Sequence, residues 1–147
     1  MTTKFKLLAL VIIAYGLLGC TQNEEEKLES YFQELGRSIS SYKYVAIINV
    51  DACSSCSNIV MDFLAINSDN KDLLVILSSI SLKKAGLMIE GYSGKTVILI
   101  DSNQLALKKY HLIQLKPVIY AVHENFLSQE VTLSDLGQLW VEKYFDK

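Results

Sequence analysis

The sequence predicts an α/β fold whose sheet is largely parallel, covered by helices on both faces, and closed by an antiparallel margin. Three observations lead there. Two runs, "YKYVAIINV" and "DLLVILSS", are nearly all apolar and rich in β-branched residues, as strands buried on both faces require. Between such runs, apolar residues recur at spacings of three and four, the mark of amphipathic helices. Near the C-terminus a lone proline leads into two short strand-like runs separated by a turn.

Taken in order, Leu28, Tyr31, Phe32, Leu35 and Ile39 define one helical face between Glu24 and Ile39. The first strand follows, from Tyr42 to Val50. Beyond Cys53 and Cys56, a helix presents Ile59, Val60, Phe63 and Leu64 on one side. "DLLVILSS" is the second strand, and "SLKKAGLMI" is a short helix starting at Ser81. "KTVILID" makes the third strand, with "SNQLALKKY" behind it as a helix capped by Ser102. In "LKPVIYAVHENFLSQEVTL", Pro117 opens a strand, Glu124 and Asn125 lie at a turn, and the chain returns as a second strand. A final helix starts near Ser134 with Leu136, Trp140 and Tyr144 facing inward. The aromatics Tyr31, Phe32, Phe63, Trp140 and Tyr144 all fall at helical spacing and read as core. The order αβαβαβαββα is that of a sheet with helices on both sides and a closing hairpin.

Residues 1–20 stand apart. Lys4 and Lys6 precede an apolar run from Leu7 to Leu18, then Gly19 and Cys20. The run is too short for a membrane span, which needs roughly 20 apolar residues, and its layout is that of an export signal. Its ending, "LLGC", resembles the lipobox of bacterial lipoproteins. That resemblance implies that residues 1–19 are a signal peptide and that Cys20 is lipidated, anchoring the chain to a membrane of the bacterial cell envelope. The polar stretch after it then reads as a tether over 20–27, ahead of one domain over 28–147. The acidic run Glu24, Glu25 and Glu26 resembles the cluster that directs some bacterial lipoproteins to the cell surface. It also suits the first turn of a helix, where acids complement the dipole. Removing the signal takes two lysines and no acid, so the net charge moves from −2 to −4. A chain so charged has no electrostatic attraction for nucleic acid.

Lipidation of Cys20 leaves Cys53 and Cys56 as the only pair of thiols, in an oxidising compartment. A C-x-x-C pair between a strand and a helix reads as a redox centre, as part of a metal-delivery site or as a structural staple. Placed at a helix start, Cys53 meets backbone N–H groups without partners and the positive end of the dipole. Both draw a thiol pKa below its free value of about 8.5. His111 and His123 are spaced too widely to complete a zinc site and read as surface or packed residues. No cofactor or metal is expected.

A central strand running into C-x-x-C at a helix start, further βα units, and a lone proline before a hairpin and final helix together resemble the thioredoxin-like fold. The insert "KTVILIDSNQLALKKYHL" and the export signal resemble its TlpA-type branch of extracytoplasmic thiol–disulfide oxidoreductases. The likeness covers roughly residues 42–145. It implies that Cys53 is the nucleophile and Cys56 the resolving thiol, and that the Lys116–Pro117 bond is cis. Lys116 and Pro117 then offer backbone to the substrate in the manner of an added strand. It also implies disulfide-bearing exported proteins as substrates and a membrane electron donor as the partner that reloads the pair, on the periplasmic side or at the cell surface. The chain departs from the family in carrying Ala52, Ser54 and Ser55 around the cysteines, and Ile47 where thioredoxins keep a buried acid. Asp51 reads as a loop or helix-start residue and not as a base. Two other functions fit the residues: copper delivery, as in Sco-type proteins of the same fold, and a thioredoxin-fold binding module without catalysis.

Overall fold

In a computed structural model of the chain, residues 23–52, 56–123 and 126–145 are described. The signal, Cys20, Cys53 and the proposed turn at Glu124 and Asn125 lie outside them.

Helix α1 spans Glu24–Glu34. Its start is a capping box: Asn23 Oδ1 accepts the Glu26 N–H at 2.8 Å, and Glu26 Oε2 accepts the Asn23 N–H at 3.3 Å. The helix thus begins inside the stretch read as a tether, and Glu24, Glu25 and Glu26 form its first turn. It also ends earlier than the apolar spacing predicts. Gly36, at φ 65°, turns the chain, and Ile39 opens a separate 3-10 turn, Ile39–Ser41.

Strand β1 (Tyr44–Asn49) lies mid-sheet. It is followed by α2 (Cys56–Ile66), β2 (Leu73–Ser78), α3 (Leu82–Met88), β3 (Val97–Asp101), α4 (Leu105–Lys108), β4 (Val118–Ala121), β5 (Leu127–Glu130), α5 (Leu133–Leu136) and α6 (Val141–Phe145). The described strands form one mixed sheet of five in the order β3-β2-β1-β4-β5. β1, β2 and β3 are parallel, whereas β4 and β5 run antiparallel, as a closing hairpin does. Every residue of β1 and β2 is buried, which explains why both read as uninterrupted apolar runs.

Alternation along the strands divides the core into two layers. Tyr44, Ala46, Ile48, Leu73, Val75, Leu77 and Ile119 pack with Val60, Phe63 and Leu64 of α2, Ala85 and Met88 of α3, and Leu136 and Val141 of α5 and α6. On the other face, Val45, Ile47, Leu74, Ile76, Val118 and Tyr120 pack with Leu28, Tyr31 and Phe32 of α1 and Ala106 of α4. Ile47, where thioredoxins keep an acid, is therefore a plain core residue. No helix among the described residues is long and apolar enough to cross a membrane.

Three further expectations are corrected. The cap of α4 is Asp101 and not Ser102: the Asp101 carboxylate, at the end of β3, accepts the N–H groups of Leu105 and Ala106, both at 3.0 Å. With Gln104 in a left-handed conformation, the helix starts too late for Ser102 to reach it. The final helix is broken between Leu136 and Val141, and this shifts its phase. Leu139 and Val141 point inward, while Trp140 is 44% exposed and Tyr144 37%. Asn67, fully buried at the end of α2, holds the break: Nδ2 donates to Leu139 O at 2.9 Å and Oδ1 accepts the Val141 N–H at 3.0 Å. Lys143 covers the Trp140 ring, its Nζ 3.9 Å from the centroid.

The third correction concerns Pro117. Every peptide bond among the described residues is trans, Lys116–Pro117 included. Trans is the lower-energy isomer, and cis serves tight turns. Here no tight turn is needed. The chain reaches Pro117 through an irregular stretch after α4, and the Pro117 carbonyl extends the β4–β5 ladder by accepting the Val131 N–H at 2.9 Å. The missing proline N–H costs nothing just before the first residue of β4.

Candidate active site at the carboxyl end of the sheet

In an open α/β sheet the loops beyond the carboxyl ends of the parallel strands form the usual binding crevice. Here the ends of β1, β2 and β3 are fastened to one carboxylate. Asp51, just past β1, accepts the Ser79 hydroxyl at 2.9 Å, the Ile80 N–H at 2.8 Å and the Gln104 side-chain amide at 3.0 Å. Lys84 Nζ lies 3.6 Å from the same carboxylate and donates to the Val50 carbonyl at 2.6 Å. Partial burial pushes the Asp51 carboxyl up, but the Ile80 N–H, the Ser79 hydroxyl and the Lys84 ammonium outweigh it and hold its pKa below the ordinary carboxylate value. Asp51 is therefore ionised at neutral pH and has little affinity for a proton. Its role is positioning: it fixes the turn that runs into the cysteines. An unpaired carboxylate two residues before Cys53 would oppose a thiolate there, and Lys84 offsets that charge.

Asn49 works from the last residue of β1. Its Oδ1 accepts the Asp51 N–H at 3.1 Å, and its Nδ2 donates to Gln114 O at 3.1 Å. The second bond draws the segment before Pro117 to the end of β1. The register agrees: Ile47 pairs with Val118, so Pro117 comes beside Ile48, at the end of β1 from which the chain leaves for Cys53.

Of the residues singled out from the sequence, Cys56 is the first of α2, while Cys20 and Cys53 lie outside the described residues. Pro117 is buried. Lys116 is exposed, its Nζ 3.5 Å from Glu130. The segment carrying both thus lies at the carboxyl end of β1, without the cis bond. His123 does not. The Val122 N–H bonds to Lys43 O, so the chain reaches His123 at the amino end of β1, across the sheet from the cysteines. His111 is exposed, with φ 53°. Next to the Asp51 and Asn49 ties, Ile80 is 69% exposed and Leu115 75%.

Sequence reasoning missed Lys84, Gln104 and Asn49 as a connected set. Lys84 reads as one of several exposed lysines, and a tie between residues 53 positions apart, as in Gln104 to Asp51, leaves no local pattern. One signal was present: polar Asn49 and Asp51 end an otherwise apolar strand just before C-x-x-C. Compared with known families, curated proteins and solved structures, the chain matches none.

Proposed function

We propose that this chain is a lipid-anchored thiol–disulfide oxidoreductase of thioredoxin-like fold that reduces disulfides of exported proteins through Cys53 and Cys56. One observation supports the reading: the mid-sheet strand β1 ends at Asn49 and the eleven-residue helix α2 begins at Cys56, so C-x-x-C falls in the sequence between that strand's carboxyl end and the start of the helix. The strand order, with β4 and β5 antiparallel beyond β1, is compatible with it. The trans Pro117 removes one family hallmark, so the likeness rests on strand order and the cysteine turn. Lys116 and Pro117 belong to the proposal only as the segment at the carboxyl end of β1.

In the proposed cycle, the Cys53 thiolate attacks one sulfur of a substrate disulfide. A mixed disulfide forms and the other substrate sulfur leaves as a thiolate. Cys56, as thiolate, then attacks the Cys53 sulfur, closing the Cys53–Cys56 bridge and releasing the second substrate thiol. The substrate gains two electrons and the protein loses two. A membrane electron donor must return them. The N-terminal N–H groups of α2 favour negative charge on the attacking sulfur. Asp51, with its pKa held low by the Ile80 N–H, the Ser79 hydroxyl and Lys84, is a weak base and acts in this proposal by bracing the turn. The exposed side chains of Ile80 and Leu115, which follow Ser79 and Gln114, offer apolar contact to a polypeptide substrate.

Cys56→Ser tests this directly, because it leaves the attacker without its resolver. Expressed in cells, it accumulates mixed disulfides with exported proteins that a reductant releases and that Cys53→Ser does not form. Capture of no partner, together with no reduction of a model disulfide by the wild type, overturns the enzymatic reading.

A further inference from the structure

The amino end of β1, across the sheet from Asp51, leaves apolar side chains uncovered. Tyr44, the first residue of β1, pairs with Leu73 of β2 and Ala121 of β4, and Ala121 pairs with Leu127, so one row across four strands marks this end. Leu127 is 53% exposed. Helix α2 reaches the same level at Ile66, where the Ser68 carbonyl accepts the Lys95 N–H just before β3. Phe145 stacks on Tyr44 with centroids 5.8 Å apart and brings Tyr144 with it. The Asn67 bonds to Leu139 and Val141 hold Trp140 between them, and Trp140 and Ile66 line one cavity. Ile66, Trp140 and Tyr144 are each more than a third exposed.

The chain enters the fold at this end too. Glu24, the first residue of α1, accepts the Ser128 hydroxyl; Ser128 pairs with Tyr120, and Tyr120 with Val45, the second residue of β1. From Val45 the amino end of β1 is about 3 Å away and the carboxyl end about 13 Å, at about 3.3 Å per residue. Only Thr21 and Gln22 stand between Cys20 and Asn23, the cap of α1. The backbone joining them spans at most about 11 Å, three Cα steps of about 3.8 Å. A tether of that reach extends beyond the amino end of the sheet and not beyond the carboxyl end.

We propose that the amino-end face of the sheet lies on the membrane surface, with Ile66, Leu127, Trp140 and Tyr144 among the lipid head groups and the Asp51 end turned to water. The inference rests on lipidation of Cys20. Indole and phenol rings, apolar with one polar tip, are the side chains that settle at head-group depth. Lys143, over the Trp140 ring, gives it a cationic cover suited to lipid phosphates. By itself so small a patch binds a bilayer weakly, but the tether makes the contact intramolecular, at an effective concentration on the order of mM. The six residues of β1 then set the Asp51 end, and the C-x-x-C that follows it in the chain, about 20 Å farther out. A membrane electron donor must therefore present its thiols on a domain that projects from the bilayer.

Trp140 is the only tryptophan of the chain, so its emission reports on this face. The purified full-length protein is placed in phosphatidylcholine vesicles, either plain or with acyl chains brominated next to the head group, since bromine quenches an indole only at contact. A loss of Trp140 emission in the brominated vesicles is expected, with weaker quenching by dissolved acrylamide than in Cys20→Ala, which stays in solution. The double variant Trp140→Phe, Leu115→Trp moves the indole to the segment that Asn49 ties to the carboxyl end of β1, and there brominated lipid should leave emission unchanged. The mass of the N-terminal peptide from the same vesicles separates the two ways of failing. Acylated Cys20 with Trp140 emission indifferent to bromine, or equal quenching at both positions, overturns the orientation while the anchor stands. An unacylated Cys20 overturns the anchor, and the orientation with it.

Discussion

The Asp51 carboxylate accepts the backbone N–H of Ile80 at 2.8 Å, which fastens the turn before Cys53 to the end of the neighbouring strand. Asp51→Asn preserves shape and removes the charge on which this bond, the Ser79 bond and the Lys84 contact depend. A loss of about 1.5–3 kcal/mol at neutral pH is expected, the range for hydrogen bonds to charged groups. Because the folded-state pKa lies below the unfolded value, this stability is present in full above pH about 4 and is lost as pH falls through the folded pKa. Urea unfolding of both proteins between pH about 2 and 7 should show the gap closing toward acid. A gap independent of pH contradicts the charge-based account.

Asn67→Ala should cost more. It leaves the Leu139 carbonyl and the Val141 N–H without the partners that hold the break between α5 and α6. Buried groups stripped of partners lose about 1–3 kcal/mol each, so about 2–6 kcal/mol is expected by denaturant unfolding. Asn67→Asp should not recover it at neutral pH, because a carboxylate oxygen would then face the Phe63 and Leu139 carbonyls to which the amide donates. A change below about 0.5 kcal/mol shows that packing alone holds the break.

Cys20→Ala separates anchor from fold. The variant is expected in the soluble fraction, unacylated by mass, with the redox activity of Cys53 and Cys56 intact. A mature wild-type N-terminus anywhere other than an acylated Cys20 ends the lipoprotein reading.

Copper delivery makes the opposite demand on the histidines, since a third ligand must join the two sulfurs. With His123 across the sheet from the cysteines and His111 exposed, competition titration of the reduced protein with Cu(I) should give the same affinity in wild type, His111→Ala and His123→Ala. Tight one-to-one binding lost in either variant replaces redox exchange with metal delivery.

What could be read from the sequence followed from periodicity. β1 and β2 announced themselves because both faces are buried, and Ser81 was legible as a cap because its hydroxyl accepts the Lys84 N–H three residues on, at 3.2 Å. Trp140 and Tyr144 were misplaced because helical spacing carries no sign of a break imposed by Asn67, more than 70 residues away in the chain. Ser102 lost the cap to Asp101 because a strand's last side chain can reach over the next helix, an arrangement set by the β3–α4 turn. The isomer of Pro117 depends on how the chain arrives, and that path is drawn by the Asn49–Gln114 bond. Within the candidate site the cysteines were visible as a motif, whereas the side chains that brace their turn come from three strand ends.

The central claim is that Cys53 and Cys56 form a reversible dithiol–disulfide couple whose dithiol form donates electrons. Its most direct test is the midpoint potential of that couple, measured by equilibrating the purified protein in thiol–disulfide buffers, alkylating the free thiols and weighing the products. A single two-electron transition is expected below about −200 mV, on the reductant side of the known range, and absent from Cys53→Ser and Cys56→Ser. Failure of the pair to form a bridge at any potential in that range, or a midpoint near the −120 mV of strong disulfide oxidants, contradicts it.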